Sequence, residues 1–187
     1  MRRLAVLLLL PLATLACGEP PEREYHQAQG AIQAARAAGA EIWAPDELAA
    51  ATSALTRYDA AVAQRDYRQA LSHALEARER ASAAAKKAAA DKSTRRGEIE
   101  RLVVLLATHV ERGRVVLNGA TRAQDEAARA LRQVIGDTER ALQESRAALE
   151  RDEVNRARTL LDGLEARLTQ ALAPFQNAAP PPANRRR

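Results

Sequence analysis

The sequence predicts an all-α protein built of elongated antiparallel helical hairpins, arranged as two three-helix bundles that share one long helix. Three observations carry this. Apolar residues recur at spacings of 3 and 4 along most of the chain, the period of one face of a helix. Alanine dominates that repeat and aromatic residues make up only 3% of the chain, so the cores are made of small side chains and the helices can approach closely. The turns implied by Gly39, Asp66, Asn118-Gly119 and Asp152 are short, which makes consecutive helices antiparallel.

Glu22 to Ala38 reads as the first helix, ended by Gly39, a common helix-stop residue. Ala44-Pro45-Asp46-Glu47 opens the second. Proline there loses no needed N–H, and the acids sit at the positive end of the helix dipole. Leu48, Ala51, Leu55, Tyr58 and Val62 form its stripe. Asp66 is placed to cap the third helix, with Gln69 three residues on in a capping-box position. Ala70, Ala74, Ala77, Ala81, Ala84 and Ala88 then give a seam at heptad spacing.

The seam turns polar from Asp91 to Glu98 and resumes as Ile99, Leu102, Leu106 and Val110, about one residue out of phase. A straight helix drifts by ~20° per heptad, so a single helix from Tyr67 to Leu117 absorbs the slip; the alternative is a kink at Ser93 to Gly97. A fourth helix carries Ala120, Ala123, Ala127, Ala130, Val134, Thr138, Ala141, Ser145 and Ala148, with Gly136-Asp137 as a candidate bend. Asp152 opens the last, whose Val154, Ala157, Leu161, Leu164, Leu168, Ala171 and Phe175 keep the 3,4 spacing until Pro174 and Pro180 to Pro182 forbid further helix. The segments "AVAQRDYRQA" (61–70) and "AALERDEVNRA" (147–157) align with one inserted residue at the two hairpin tips. Duplication and chance in an Ala/Arg-rich chain both account for them.

Ahead of these helices, Met1-Arg2-Arg3 gives a positive start and Leu4 to Leu15 an apolar core of export-signal length, too short for the ~20 residues of a membrane span. Cys17 is the only cysteine, so it has no intramolecular disulfide partner. A buried inert thiol, a reactive thiol, and an attachment point at the cleavage boundary are the three readings open to it. Thr14-Leu15-Ala16-Cys17 resembles the lipobox of bacterial lipoproteins, with Thr14 where that family usually has Leu. The resemblance implies cleavage before Cys17, a diacylglycerol on its sulphur, an acylated (palmitate-type) amino terminus and a membrane attachment. Ordinary cleavage near Ala16 leaves Cys17 free. Gly18 in place of an aspartate favours the periplasmic face of the outer membrane over inner-membrane retention.

Residues 37–85, with Trp43-Ala44-Pro45, Leu48, Asp66-Tyr67 and Ala70, resemble a family of bacterial envelope proteins known as domain of unknown function 4398. That likeness implies a helical, lipid-anchored protein and assigns no reaction. The same stretch resembles tetratricopeptide hairpins. The expected organisation is therefore a signal peptide (1–16), a lipidated linker (17–21), an N-terminal helical domain (22–90), a C-terminal helical bundle (91–174) and a disordered Pro/Arg tail (175–187).

The net charge of +5 loses its force once it is located along the chain. Setting Arg2, Arg3 and Arg185 to Arg187 aside leaves 24 basic residues against 24 acidic ones. A neutral, mixed surface is a poor phosphate binder, so nucleic acid is not an expected partner. His26, His73 and His109 stand far apart with no companion at metal-ligand spacing. No nucleophile motif or phosphate loop is present, so neither an enzyme nor a cofactor is expected. Trp43, Tyr58 and Tyr67 are either an aromatic patch that anchors a partner or the bulk that fills gaps where hairpins splay. The functions that remain are a membrane-tethered scaffold for other envelope proteins, or a structural protein that associates with peptidoglycan or anionic surface polymers through its arginines.

Overall fold

The structure, a computed structural model, describes residues 18–176. Every regular element among them is helical: α1 (Glu22–Ala37), α2 (Ala40–Trp43), α3 (Pro45–Ala63), α4 (Tyr67–Asn118), a 3-10 turn (Arg122–Gln124), α5 (Asp125–Glu150), α6 (Val154–Leu161) and α7 (Leu164–Gln176). The fold is all-α, as expected. By its contacts the chain divides into two compact units, one up to Ala89 and one from Ala90, and α4 is continuous from Tyr67 to Asn118 with no break at Ser93 to Gly97.

In the first unit, α1 ends where Gly39 adopts φ +84, a left-handed value that favours a residue without Cβ. The single turn α2, which the 3,4 spacing does not announce, carries the chain to Ala44 and the opening proline of α3. Against α1 and α3 lies the alanine seam of α4, with Ala70, Ala74, Ala77, Ala81, Ala84 and Ala88 all fully buried. The main cluster joins Ile32, Leu48 and Ala51 to Ala81, Ala84 and Ala88. Polar contacts fix the helices at their rims: Arg57 donates to Glu76 at 2.9 Å between α3 and α4, and Arg78 donates to Gln27 at 2.7 Å between α4 and α1.

The second unit buries Ile99, Val103, Leu106 and Val110 of α4, and α4 runs beside α5, with Val110 and Leu142 lining one groove. At Gly113 the approach is close enough that a Cβ would stand 2.8 Å from Ile135 Cδ1. The buried residues of α5 are Ala128, Leu131, Ile135, Thr138, Leu142, Ser145, Ala148 and Leu149. This corrects the expected stripe in its first half, where the spacing puts Ala127, Ala130 and Val134 inward. Turning the helix slightly buries Leu131, Ile135 and Leu142, which remove more apolar surface than the alanines they displace. Ser145 Oγ donates to the Ala157 carbonyl at 3.1 Å, satisfying a buried hydroxyl across the α5–α6 contact. The polar stretch of α4 is used here too. Lys92 pairs with Asp152, and Arg96 Nη1 donates to the Leu149 carbonyl at 3.0 Å, so this stretch grips the α5–α6 turn.

Four further expectations are corrected. The last helix is not continuous: Asp162 is extended (ψ 131) and Gly163 adopts φ +74. The apolar spacing misses this break because Leu161, Leu164 and Leu168 stay buried on both sides of it. Pro174 does not end α7, which runs to Gln176; near the C-terminal end the missing N–H leaves only one backbone bond unmade. Asp152 does not open α6 but takes φ +63 in the turn before it. The fourth helix does not carry Ala120 or Ala123: α5 begins at Asp125, after a 3-10 turn capped by Thr121 and Gln124.

The two hairpin tips correspond without an inserted residue. Gln64, Arg65, Asp66 and Ala70 donate backbone N–H bonds to Ala60, Val62, Ala61 and Asp66; Arg151, Asp152, Glu153 and Ala157 donate in the same pattern to Ala147, Leu149, Ala148 and Glu153. Arg65 and Asp152 are both left-handed, at φ +60 and +63. The offset of 87 that takes Ala61 to Ala148 also pairs buried positions along the arms: Leu48 with Ile135, Tyr58 with Ser145, Ala74 with Leu161, and Ala81 with Leu168. The hairpin is built twice, with alanines in the returning arm of the first copy and leucines in that of the second.

Candidate functional site

Of the residues singled out in the sequence, Cys17 lies outside the described residues, as do residues 1–16 and the three terminal arginines. The aromatic residues do not converge. Tyr58 is 5% exposed and stacks on Tyr25 with ring centroids 4.8 Å apart. Its cluster is completed by Ala61, Ala70 and Ala74. Burial, reinforced by the nearby Glu22 and Asp59 carboxylates, pushes its phenol above the usual value. Trp43 is half-buried against the separate Ile32–Leu48–Ala84 cluster and flanks Gly39, where a Cβ would meet its Cδ1 at 3.2 Å. Tyr67 is half-buried at the start of α4, and a Cβ on Gly18 would lie 3.5 Å from its Cδ2. Tyr58 and Trp43 are thus packing residues, while Tyr67 borders the first described residues of the chain.

The cap at α4 forms in part. Asp66 Oδ1 accepts the Gln69 N–H at 3.0 Å, but the Asp66 N–H is taken by the Ala61 carbonyl rather than by the Gln69 side chain. The histidines stay apart. His26 sits beside Gln29 Oε1 at 3.4 Å and His73 beside Glu76 at 3.6 Å, while the buried Nδ1 of His109 has no hydrogen-bond partner. Among the described residues no three His, Cys, Asp or Glu side chains are grouped as a metal site would need. Glu76 gathers two arginines: Arg57 and Arg80 both donate to it, and these bonds hold its carboxyl below the usual range.

Two adjoining grooves run between α1 and α3, of ≈ 470 and ≈ 630 Å³, sharing Arg36 and Thr52. Their hydroxyls are already engaged along the helix: Thr52 donates to Leu48 O and Thr56 to Thr52 O. Neither groove places a base beside a nucleophile. The feature that pattern reading misses is apolar exposure on the outer faces of α4. Leu71 and Leu75 are 38% and 41% exposed, one and two turns beyond Tyr67. The signal is present in the sequence as Tyr67, Leu71 and Leu75 at spacings of four, beside the alanine seam rather than in it. No helix among the described residues is long and apolar enough to cross a membrane. No protein-family model, curated protein or solved structure gives a significant match to this chain.

Proposed function

We propose that the protein is a non-enzymatic helical lipoprotein of the bacterial envelope, held to a membrane by lipid on Cys17 and serving as a scaffold or interaction module for other envelope proteins. The observation that carries this reading is the leader: a basic start, an apolar core, then Thr14-Leu15-Ala16-Cys17 with Gly18 and Glu19 beginning the polar chain. Three acyl chains at ~0.8 kcal/mol per buried methylene make such an anchor effectively permanent. Gly18 after the cysteine, where an aspartate would favour inner-membrane retention, supports the outer membrane.

The test is the mass of the amino-terminal peptide from cells. The expected product starts at Cys17 and carries one diacylglycerol and one amide-linked chain. Cys17→Ser should move the protein to the soluble fraction, and an unchanged membrane fraction would sink the anchor. For the scaffold role, cross-linking in cells should join the protein to a defined envelope partner. Recovery of only lipids and abundant porins would count against it.

A further inference from the structure

We propose that Tyr67, Leu71 and Leu75 form a membrane-contact strip that lies in the headgroup layer of the bilayer. It rests on the anchor proposed at Cys17, because the anchor fixes what stands opposite the strip. A Cβ on Gly18, the residue next to Cys17 in the sequence, would be 3.5 Å from Tyr67 Cδ2, so the first described residue after the proposed anchor stands against this ring. A sulphur joined to diacylglycerol sits at the headgroup level, a layer roughly 5 to 8 Å thick on each side of the hydrocarbon. Tyr67 is therefore held at the depth where aromatic rings partition best.

The strip continues along α4, with Leu71 and Leu75 about 6 and 12 Å further on and 38% and 41% exposed. The duplicated hairpin supplies an internal comparison. At the offset of 87, Leu71 and Leu75 correspond to Arg158 and Asp162, which form an ion pair at 2.6 Å. The hairpin thus accepts charged residues at these two positions, and only the copy beside the anchor carries leucines there. Arg65 and Arg68 flank the strip, and their guanidinium groups, engaged by no carboxylate among the described residues, can reach lipid phosphates. The same end carries Glu19, Glu22, Glu24, Asp59 and Asp66. The attraction is accordingly apolar and local rather than a net-charge effect, and should survive salt.

The test uses the chain from Cys17 onward, with the Cys17 thiol coupled to a maleimide phospholipid in phosphatidylcholine vesicles. This imposes the tether whatever happens to Cys17 in cells. The only tryptophan is removed (Trp43→Phe) and a reporter is placed by Leu71→Trp, by Leu75→Trp, or by Ser53→Trp on the exposed side of α3 as a control, each checked for native helicity. On tethering, the strip reporters should shift to the blue and be quenched by brominated lipid roughly twofold more than the control, with no loss at about 0.5 M salt. Equal quenching of all three reporters overturns the proposal, as does a strip signal abolished by salt. An unmodified Cys17 in cells together with a positive tethered result removes the native anchor and upholds the affinity of the strip.

Discussion

The duplicated hairpin allows a reciprocal exchange whose outcome is set by core size. Ala81 and Leu168 are equivalent and both fully buried. Leu168→Ala removes three carbons from a leucine-lined contact, worth ~2.4 kcal/mol of transfer at ~0.8 kcal/mol per group, and the residual cavity brings the expected loss to ~2.7–5 kcal/mol. Ala81→Leu forces the same three carbons into a seam whose neighbours, Ala84, Ala88 and Ala51, are themselves fully buried. Overpacking of this kind costs ~1–3 kcal/mol. Both substitutions should therefore destabilise, although one shrinks and the other enlarges a hydrophobic residue. Urea unfolding followed by circular dichroism reports both units, while the fluorescence of Trp43 reports the first unit. Ala81→Leu should lower the Trp43 midpoint. A neutral or stabilising Ala81→Leu would refute the claim that the alanine seam is closely packed.

Three other outcomes follow from the backbone and charges. Gly97 is helical with no atom within 4 Å of where a Cβ would stand, so Gly97→Ala should stabilise by ~0.5–1 kcal/mol, whereas Gly163→Ala, at φ +74, should destabilise by ~1–2 kcal/mol; thermal melts separate the signs. Asp66→Ala removes the acceptor of the Gln69 N–H and should cost ~1 kcal/mol, with Asp66→Asn recovering most of it in the same urea titration. Glu76 titrates below its ordinary 4.5 because Arg57 and Arg80 bond to its charged form, so its stabilisation is present above that value and lost as pH falls through the lower folded one. Glu76→Gln should therefore lower stability at pH 7 by at most ~1 kcal/mol and by less at about pH 3. Equal losses at both pH values would contradict the ion-pair account.

What was legible in the sequence was what repeats along a helix. The alanine seam from Ala70 to Ala88 stands where its spacing puts it, and the one-residue phase slip near Asp91 is absorbed without a break. What was hidden depends on partners or on single backbone angles. The Gly163 break is silent because the leucines on either side stay in phase. Placing Ala127, Ala130 and Val134 inward fails because equal spacing says nothing of side-chain size, and Leu131 and Ile135 win the core. The aromatic trio looks alike in sequence, yet burial separates Tyr58 from Tyr67. The match of the hairpin tips is visible, but aligning letters sets Arg65-Asp66 on Arg151-Asp152. The hydrogen bonds instead set Arg65 on Asp152 and Asp66 on Glu153.

The grip of Lys92 and Arg96 on the α5–α6 turn bears on how the chain can be dissected. Composition alone suggests cutting within the polar stretch 91–98, as one would through a linker. A fragment begun at Glu98 would lack both side chains, leaving the Asp152 carboxylate without its ammonium partner and the Leu149 carbonyl without the guanidinium. Proteolytic or recombinant pieces meant to preserve the second unit should therefore start ahead of Asp91, and a piece begun later should show its first amide-exchange losses at residues 149–153.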